Sequence, residues 1–100
     1  MKIIIAGAGE VGFHLARLLA DEQQDITLID TNKDRLAYVE SKLDVLTMPA
    51  NAASIETLRD AKISRTDMLI AATASETTNI TIGILGKNLG AKNVIVRVSN

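Results

Sequence analysis

Apolar runs of strand length recur five times along the chain, and this recurrence constrains the fold more than any other feature of the sequence. Each run is rich in Ile, Leu, Val or Ala, and the segments between runs are long enough for a helix. The runs cover residues 2–6, 25–30, 44–48, 68–72 and 94–98. Because crossovers between parallel strands are right-handed, the alternation predicts a Rossmann-like, doubly wound α/β fold with five parallel strands in the order 3-2-1-4-5 and helices on both faces.

The composition fits a small parallel sheet covered by helices. Hydrophobic residues make up 47% of the 100 residues, and Phe13 and Tyr38 are the only aromatic ones. The core must therefore be built from Ile, Leu, Val and Ala, as in sheets that are buried on both faces. The sequence has no cysteine, which excludes thiolate catalysis, thiolate zinc sites and disulfide bonds. We expect residues 1–100 to form one domain.

The charge and hydropathy patterns indicate a cytoplasmic domain. The net charge is -1, and no block of Lys or Arg predicts nucleic acid or an anionic membrane surface as a partner. No apolar run approaches the ~20 residues that cross a bilayer, and the first residues have the pattern of a strand rather than of a signal peptide. We therefore expect no direct insertion into a membrane.

Helix boundaries follow from capping residues and periodicity. Short polar side chains are well placed to cap the second, third and fourth helices, and a glycine is well placed to end the fourth. The candidates are Thr31 or Asn32, Ser54, Thr77 or Thr78, and Gly90. Pro49 is expected just after the third strand, where the chain leaves the sheet.

The first helix has more apolar surface than one contact with a sheet needs. At about 100° per residue its polar side chains form one narrow stripe, made of Glu10, His14, Arg17 and Asp21. Most of the rest is apolar, which predicts a further contact surface, either with sequence outside this chain or with another protomer. In the fourth helix, Gly83 and Gly86 each cost ~1 kcal/mol relative to Ala, which indicates close packing.

The stretch IIIAGAGEVG near the N-terminus places a G-x-G-x-x-G pattern between a strand and an amphipathic helix. In that context Gly7 permits the tight turn, Gly9 lets the backbone approach a pyrophosphate, and Gly12 lets the helix close on the strand. The helix adds free backbone N–H groups and the positive end of its dipole. The pattern therefore predicts a nucleotide cradle made of Gly7, Ala8, Gly9, Glu10, Val11 and Gly12.

Asp30 ends the second strand eighteen positions after Gly12, about where a carboxylate must lie to accept both hydroxyls of an adenosine ribose. The same charge would repel a 2′-phosphate by ~4 kcal/mol at a separation of ~4 Å and an effective dielectric constant of roughly 20. Asp30 thus favours NAD or an adenosine nucleotide over NADP. Lys33 and Arg35 are close enough in sequence to weaken that exclusion.

Two later loops point to the same edge of the sheet, because ligands of this topology bind at the carboxyl ends of strands. Residues 50–54, which include Asn51, follow the third strand and either wall the adenine or form an ordinary loop and cap. Residues 73–79, with the sequence TASETTN, follow the fourth strand. This second loop holds more short polar side chains than capping alone requires, and so indicates a ligand site.

No residue stands out as a catalytic group. His14 is the only histidine, and helical spacing places it on the polar stripe of the first helix, away from the edge where a substrate would react. Tyr38 and Lys42 match the Y-x-x-x-K spacing of short-chain dehydrogenases, but on the second helix, beyond the reach of a nicotinamide, so we interpret the match as chance. The acids lack the clustering of a metal site. A cofactor cradle without proton-transfer chemistry is more typical of a sensor than of an enzyme.

Four stretches together resemble the regulator of potassium conductance (RCK, or KTN) domain family, and within it the amino-terminal domains of TrkA subunits of Trk potassium uptake systems. They are MKIIIAGAGEVG, DITLIDTNKDRL, TDMLIAATASETTN and NVIVRV. The resemblance covers the whole chain. It implies a cytoplasmic nucleotide sensor, peripheral on the inner face of the cell membrane. Such a sensor binds NAD(H), or ADP and ATP in some relatives, and gates a membrane-embedded potassium transporter.

The resemblance also assigns site residues by position. It implies that residues 7–11 contact the pyrophosphate, that Asp30 contacts the ribose, and that Thr73 and Ala74 lie beside the dinucleotide. Arg97, at the end of the fifth strand, is available to a phosphate or a ribose. Further candidates for contact with the nucleotide are Thr31, Asn51, Ser75, Glu76 and Asn79.

Some positions depart from the pattern of the family. Relatives commonly have Gly, Asp or Asn, Ala, and Ser or Thr after the third strand, where this chain has Ala50, Asn51, Ala52 and Ala53. Relatives often carry an acid where Thr77 stands, and the sequence predicts no metal site. Position 10 is Glu rather than the Arg of ATP-preferring relatives, which favours NAD(H).

The resemblance implies partners as well. A TrkA-like subunit resembles two such domains in tandem, assembled as a ring on the transporter, so we expect a homo-oligomer. The chain is expected to stop before the sixth strand and the crossover helix through which such domains pair. An alternative is that these residues are the cofactor-binding half of an NAD-dependent dehydrogenase, and a third interpretation is a scaffold that only assembles.

Overall fold

The structure, a computed structural model, describes residues 1–21 and 23–99. Within these residues five strands alternate with four helices: β1 (Lys2–Ala6), α1 (Glu10–Leu19), β2 (Asp25–Asp30), α2 (Lys33–Lys42), β3 (Leu46–Pro49), α3 (Ile55–Asp60), β4 (Met68–Ala71), α4 (Glu76–Asn88) and β5 (Asn93–Val96). A short 3₁₀ turn, Ile63–Arg65, precedes β4. The paired strands are parallel and their order is β3-β2-β1-β4-β5, so the predicted fold class and strand order are confirmed.

Helices cover both faces of the sheet, as predicted. β1 lies at the centre, where Ile4 is paired with Thr27 of β2 and with Leu69 of β4. Successive side chains of a strand point to opposite faces, so the core has two layers. One layer packs on α3 and α4 and contains Ile4, Ala6, Ile29, Leu58, Leu69 and Ile82. The other packs on α1 and α2 and contains Ile3, Ile5, Ala16, Leu28, Leu36, Val39 and Ile70.

The third strand begins and ends later than predicted. Pro49 is its last residue, paired with Asp30, and not the first residue after it. β3 is an edge strand whose one neighbour in the sheet is β2. Because proline has no N–H, Pro49 is tolerated there, where no strand on the other side needs that hydrogen bond. The chain leaves the sheet one residue later, where the N–H of Ala50 donates to the carbonyl of Asp30.

The fourth and fifth strands end earlier than predicted. β4 stops at Ala71, although the N–H of Ala72 still donates to the carbonyl of Ala6. β5 starts at Asn93, whose N–H donates to the carbonyl of Asp67, and ends at Val96. Because Asn93 is polar, a prediction based on apolar runs placed the start of this edge strand one residue too late.

Three of the four helices are capped by a side chain. Asn32, and not Thr31, caps α2, because its Oδ1 accepts the N–H groups of Asp34 and Arg35. Ser54 caps α3, as predicted. The cap of α4 is Ser75, two positions before the predicted threonines.

The last turn of α4 closes as predicted for a helix that ends in glycine. Gly90 has φ +113°, and the N–H groups of Gly90 and Ala91 donate to the carbonyls of Lys87 and Gly86. This pair of bonds is a Schellman motif, which satisfies carbonyls that would otherwise have no partner at the helix end.

The glycines inside α4 mark close packing, as predicted. A Cβ at Gly83 would lie 2.6 Å from Cγ2 of Val96 and 3.3 Å from Cγ1 of Val94 on β5. A Cβ at Gly86 would overlap the side chain of Leu69 on β4. The two glycines therefore let the helix backbone lie directly on the sheet.

The outer side of α1 carries the excess apolar surface that its sequence predicts. Glu10, His14 and Arg17 are exposed along one stripe, while Leu18 is 68% exposed. Between α1 and α2 lies a groove of about 870 Å³. It holds the rings of Phe13 and Tyr38, whose centroids are 5.4 Å apart. Among the described residues, no helix combines the length and hydropathy needed to cross a bilayer.

Candidate functional site

Two adjoining grooves run along the carboxyl edge of the sheet. The β3-side groove, of about 240 Å³, extends over the loops that follow β2 and β3. The β5-side groove, of about 350 Å³, extends over the start of α1 and the ends of β4 and β5. Gly7, Asp30, Arg35 and Thr73 line both grooves, so the two form one continuous surface. This is the edge at which ligands of doubly wound sheets bind.

The glycine loop has the geometry that its spacing predicts. Gly7 has φ +108°, and a Cβ there would lie 2.9 Å from the carbonyl carbon of Ala72. A Cβ at Gly12 would overlap the carbonyl oxygen of Gly7, so only glycine lets α1 close on β1. At Gly9 the nearest atom to a Cβ is Nη1 of Arg35, at 3.7 Å. The outer side of the loop is therefore open, and a ligand can approach its backbone.

The first turn of α1 offers its amides to that open side. Gly9 is the N-cap residue, and no side chain caps the helix. The first amides of a helix have no partner within the helix, and here no capping side chain takes them. Together with the positive end of the helix dipole, they suit an anionic group such as a pyrophosphate.

Asp30 joins the glycine loop to the loop that follows β2. Its Oδ2 accepts the N–H of Ala8 at 2.8 Å, and its Oδ1 accepts the N–H of Asn32 at 2.8 Å. The side chain is 10% exposed, and Nη1 of Arg35 lies 3.9 Å from Oδ2. Each carboxylate oxygen keeps a second lone pair, so the group can accept ribose hydroxyls while it holds both loops.

The loop after β4 is held from below by Asn79. Oδ1 of Asn79 accepts the backbone N–H of Thr73 at 2.9 Å, and its Nδ2 donates to the carbonyls of Thr73 and Arg97, each at 3.0 Å. Asn79 is 1% exposed. A direct contact between Asn79 and a nucleotide, as predicted from the sequence, would require these bonds to break.

The structure brings ten of the fifteen predicted site residues to the walls of the two grooves. They are Gly7, Gly9, Glu10, Val11, Asp30, Thr31, Asn51, Thr73, Ala74 and Arg97. The other five lie beside the grooves or beneath them. Ala8 is buried in the glycine loop, Gly12 is buried in the first turn of α1, and Asn79 lies below the β4 loop.

Ser75 and Glu76 have partners within the chain. Oγ of Ser75 accepts the N–H of Thr78, which is its role as the cap of α4. Oε2 of Glu76 accepts the hydroxyl of Ser99 at 2.9 Å. Both residues are exposed, and a contact of either one with a nucleotide stays a prediction.

Arg35 is the main residue that the sequence did not assign to the site. It lines both grooves and its side chain is 57% exposed beside Asp30. Its place one turn into α2, five residues after the strand-ending acid, was the available signal. Thr78, predicted as a possible cap and as part of the polar stretch 73–79, lines the β3-side groove together with Ala50 and Ala52.

The side chains considered for proton transfer lie elsewhere. His14 is exposed, lines the groove between α1 and α2, and has its Nδ1 3.0 Å from Nη2 of Arg17. Tyr38 is 56% exposed on α2, beside Phe13. Neither residue lines the grooves at the carboxyl edge. Within residues 1–21 and 23–99, no three His, Asp or Glu side chains gather as a metal site would need.

Known proteins are similar in sequence to this chain. The TrkA-N domain family matches residues 3–100. The chain is 47% identical over 100 residues to the Trk system potassium uptake protein TrkA homolog of Archaeoglobus fulgidus, of which it covers 22%. It is 37% identical over 100 residues to the protein of the same name in Methanothermobacter thermautotrophicus, of which it covers 46%. The chain thus spans less than half the length of these curated relatives.

A solved structure shares the fold. The Kef C-terminal domain of Shewanella denitrificans, described as in its AMP-bound form, superposes with a TM-score of 0.76 over 95% of this chain and 57% of that chain. The two sequences are 22% identical, so this likeness supports the fold alone. The family match extends over almost every residue, and both relatives align along the entire chain. The chain therefore belongs to the TrkA-N domain family.

Proposed function

We propose that this chain is a nucleotide-sensing regulatory domain of a Trk-type potassium uptake system, which binds NAD(H) at the carboxyl edge of its sheet and thereby gates potassium transport. The observation that carries the proposal is the open glycine loop. The uncapped start of α1 and the carboxylate of Asp30 face one continuous groove, in a chain of the TrkA-N family. ADP and ATP are proposed as weaker ligands of the same site.

The proposed placement of the ligand follows the two halves of the groove. The pyrophosphate would lie against residues 7–11, where no side chain caps the start of α1. Asp30 would accept the hydroxyls of the adenosine ribose. The adenine would rest in the β3-side groove, between Thr31 and Asn51, and the second half of a dinucleotide in the β5-side groove.

The charges around the site support NAD(H) over its phosphorylated relatives. A 2′-phosphate close to the carboxylate of Asp30 would meet a repulsion of ~4 kcal/mol at ~4 Å and an effective dielectric constant of about 20. Arg35, 3.9 Å from that carboxylate, offsets part of the repulsion. Glu10 lines the β5-side groove and would repel the terminal phosphate of ATP.

We propose that the domain binds its nucleotide as a signal and not as a reactant. His14 and Tyr38 line the groove between α1 and α2, and neither lines the two grooves at the carboxyl edge. None of the residues that line those two grooves is a histidine, a lysine or a tyrosine, which are frequent acid–base groups of dehydrogenases.

The proposed partners follow from the names of the relatives. Both are Trk system proteins, so we propose that the domain acts on the cytoplasmic side of the membrane, as a homo-oligomer bound to the membrane-embedded transporter subunit. The apolar groove between α1 and α2 and the exposed side chain of Leu18 on α1 supply surface for such contacts.

Calorimetric titration with NADH, NAD, ADP, ATP and NADPH tests the proposed ligand. We expect NADH or NAD to bind tightest, with Kd below ~1 mM, which corresponds to about -4 kcal/mol or better. The proposal fails if none of the five binds in that range, or if NADPH binds best. Potassium uptake by the assembled system, measured with and without the bound nucleotide, then tests the gating.

A further inference from the structure

We propose that Asn79 is a positioning residue that sets the β5-side half of the nucleotide site by tying the loop after β4 to the end of β5. Asn79 acts on the ligand through Thr73 and Arg97, which line the groove, and not by contact. The inference rests on the proposed function, because it concerns how this site holds the second half of a dinucleotide.

The side chain of Asn79 has no polar group left for a ligand. It is 1% exposed, and its amide can accept two hydrogen bonds and donate two. Oδ1 accepts the backbone N–H of Thr73 at 2.9 Å and the hydroxyl of Thr73 at 2.6 Å. Nδ2 donates to the carbonyl of Thr73 and to the carbonyl of Arg97, each at 3.0 Å. All four capacities of the amide are used inside the chain.

These bonds connect the two walls of the β5-side groove. Thr73 lies just beyond β4, and Arg97 lies just beyond β5. The two are also linked directly, since Nη1 of Arg97 donates to the carbonyl of Thr73 at 3.3 Å. The N–H of Arg97 donates to the carbonyl of Ala71 at 2.9 Å. Asn79 is the buried element of this linkage, and the arginine bond is the exposed one.

The two grooves depend on Asn79 to different degrees. A mononucleotide such as AMP needs the glycine loop, Asp30 and the β3-side groove. A dinucleotide also needs Ala74 and Arg97, which line the β5-side groove only. One bond from Nδ2 goes to Thr73, which lines both grooves, and the other goes to Arg97. Loss of the second bond frees the carbonyl of Arg97, on the β5 side alone. The affinity for NADH should therefore fall more than the affinity for AMP.

The test compares both ligands on variants of the full chain. Asn79→Ala removes all four bonds, and Asn79→Asp keeps the shape and an acceptor for the N–H of Thr73 but loses both donations. Because Asn79 acts on the ligand only through Thr73 and Arg97, part of the free energy of the lost bonds should affect binding. We expect Kd for NADH to rise about tenfold in each variant, while Kd for AMP changes less than about twofold. Asn93→Ala is the matched control, because its Nδ2 also donates to a backbone carbonyl, that of Asp67, at the other end of β5. This control should leave both constants unchanged.

The ratio of the two constants separates positioning from a general structural role. If Kd rises by the same factor for both ligands, or for neither, Asn79 only supports the fold and the inference is overturned. Should neither variant fold, hydrogen exchange of the unaltered chain decides. NADH should protect the amide of Arg97 and AMP should not, and equal protection by both would overturn the inference. If the unaltered chain binds neither ligand, the proposed function itself fails.

Discussion

Asp30 holds two loops together at the edge of the sheet. Its carboxylate accepts an amide of the glycine loop through Oδ2 and an amide of the next loop through Oδ1. The sequence predicted the position of this acid, because a carboxylate at the end of the second strand is a local pattern. The bond to Ala8 spans 22 residues and could not be predicted, since it depends on the tertiary approach of two loops. The acid that we propose binds the ribose is therefore also part of the scaffold.

Asp30→Asn should weaken the binding of NADH by roughly tenfold to a hundredfold, because hydrogen bonds to a charged acceptor are worth about 1.5 to 3 kcal/mol. The variant also removes the repulsion of a 2′-phosphate, so the preference for NADH over NADPH should shrink. Calorimetric titration with both nucleotides measures the two effects. Asp25→Asn, at the other end of β2, is the control and should bind as the unaltered chain does. An unchanged ratio of the two affinities in Asp30→Asn would contradict the assigned role.

Asp67 provides a second acid whose contacts are structural. Its Oδ2 accepts the N–H of Lys2 at 2.8 Å, and Nζ of Lys92 lies 3.3 Å from its Oδ1. The backbone hydrogen bond first, and then the lysine, lower the pKa of the Asp67 carboxyl below its ordinary value. A carboxyl with a lowered pKa in the folded state stabilises the fold above its unfolded pKa and loses that contribution as the pH falls through its folded pKa.

Asp67→Asn should consequently lower Tm at pH 7 and have less effect in acid. The difference from the unaltered chain should be constant above the unfolded pKa of an aspartate, about 3.9, and should shrink as the pH falls below it. Thermal unfolding between neutral pH and strongly acidic pH, followed by circular dichroism, measures the difference. Asp25→Asn removes a more exposed carboxylate, 60% exposed, and serves as the control. Curves that stay parallel at every pH would show that the charge of Asp67 contributes nothing.

The bounds of the strands and the caps of the helices were predicted with different accuracy, and the differences have physical reasons. The central residues of β1 and β2 are buried without interruption, and the bounds of both strands match the predicted ones. The edge strands β3 and β5 are partly exposed and mix polar with apolar residues, so their bounds shifted. The cap of α4 was displaced by two residues because residues 75, 77 and 78 are all good caps. Local preference could not choose among them.

Gly12→Ala and Gly83→Ala should separate two kinds of close approach. The Cβ at Gly12 meets the backbone of Gly7, which cannot move without opening the glycine loop. We expect a loss of at least ~3 kcal/mol in the free energy of unfolding, at the upper end of overpacking effects. The Cβ at Gly83 meets a terminal methyl of Val96, a partly buried side chain on the edge strand. The gain of ~1 kcal/mol in helix propensity offsets much of that cost.

Urea unfolding of the two glycine variants measures this difference in the free energy of unfolding. Titration with NADH adds a second readout, because Gly12→Ala should also abolish binding while Gly83→Ala should keep it. Equal losses of stability would mean that the backbone contact of Gly12 is no more restrictive than the side-chain contact of Gly83.

At the scale of the whole molecule, the predicted topology is confirmed and the edge for a ligand stays a prediction, while the links between the loops were not predicted. Parallel strands separated by helices leave few arrangements open, and the carboxyl edge follows from the arrangement. The linkages between loops join residues that are distant in sequence, such as Asn79 and Arg97, eighteen positions apart. The proximity of Arg35 to Asp30 could be expected from the sequence, but its place beside Gly9 depends on the folded chain.

A ligand that binds only the folded chain must stabilise the whole domain. The glycine loop, the β2 loop and the β4 loop each come from a different strand of one sheet, and unfolding destroys the site that they form together. At a concentration of about 100 times Kd, NADH should add ~2.7 kcal/mol to the free energy of unfolding. In a domain of 100 residues this raises Tm by about 10 °C or more.

Thermal unfolding at increasing concentrations of NADH measures this rise in Tm. At the same concentration of NADH, the rise should be smaller in Asp30→Asn. In the control Asp25→Asn it should be as large as in the unaltered chain. A shift of equal size in Asp30→Asn would mean that NADH stabilises the fold from somewhere other than the carboxyl edge. No shift in any of the three proteins would remove the basis for treating this edge as a nucleotide sensor. A shift that rises with the logarithm of concentration and depends on Asp30 links the acid, the three loops and the stability of the domain in a single measurement.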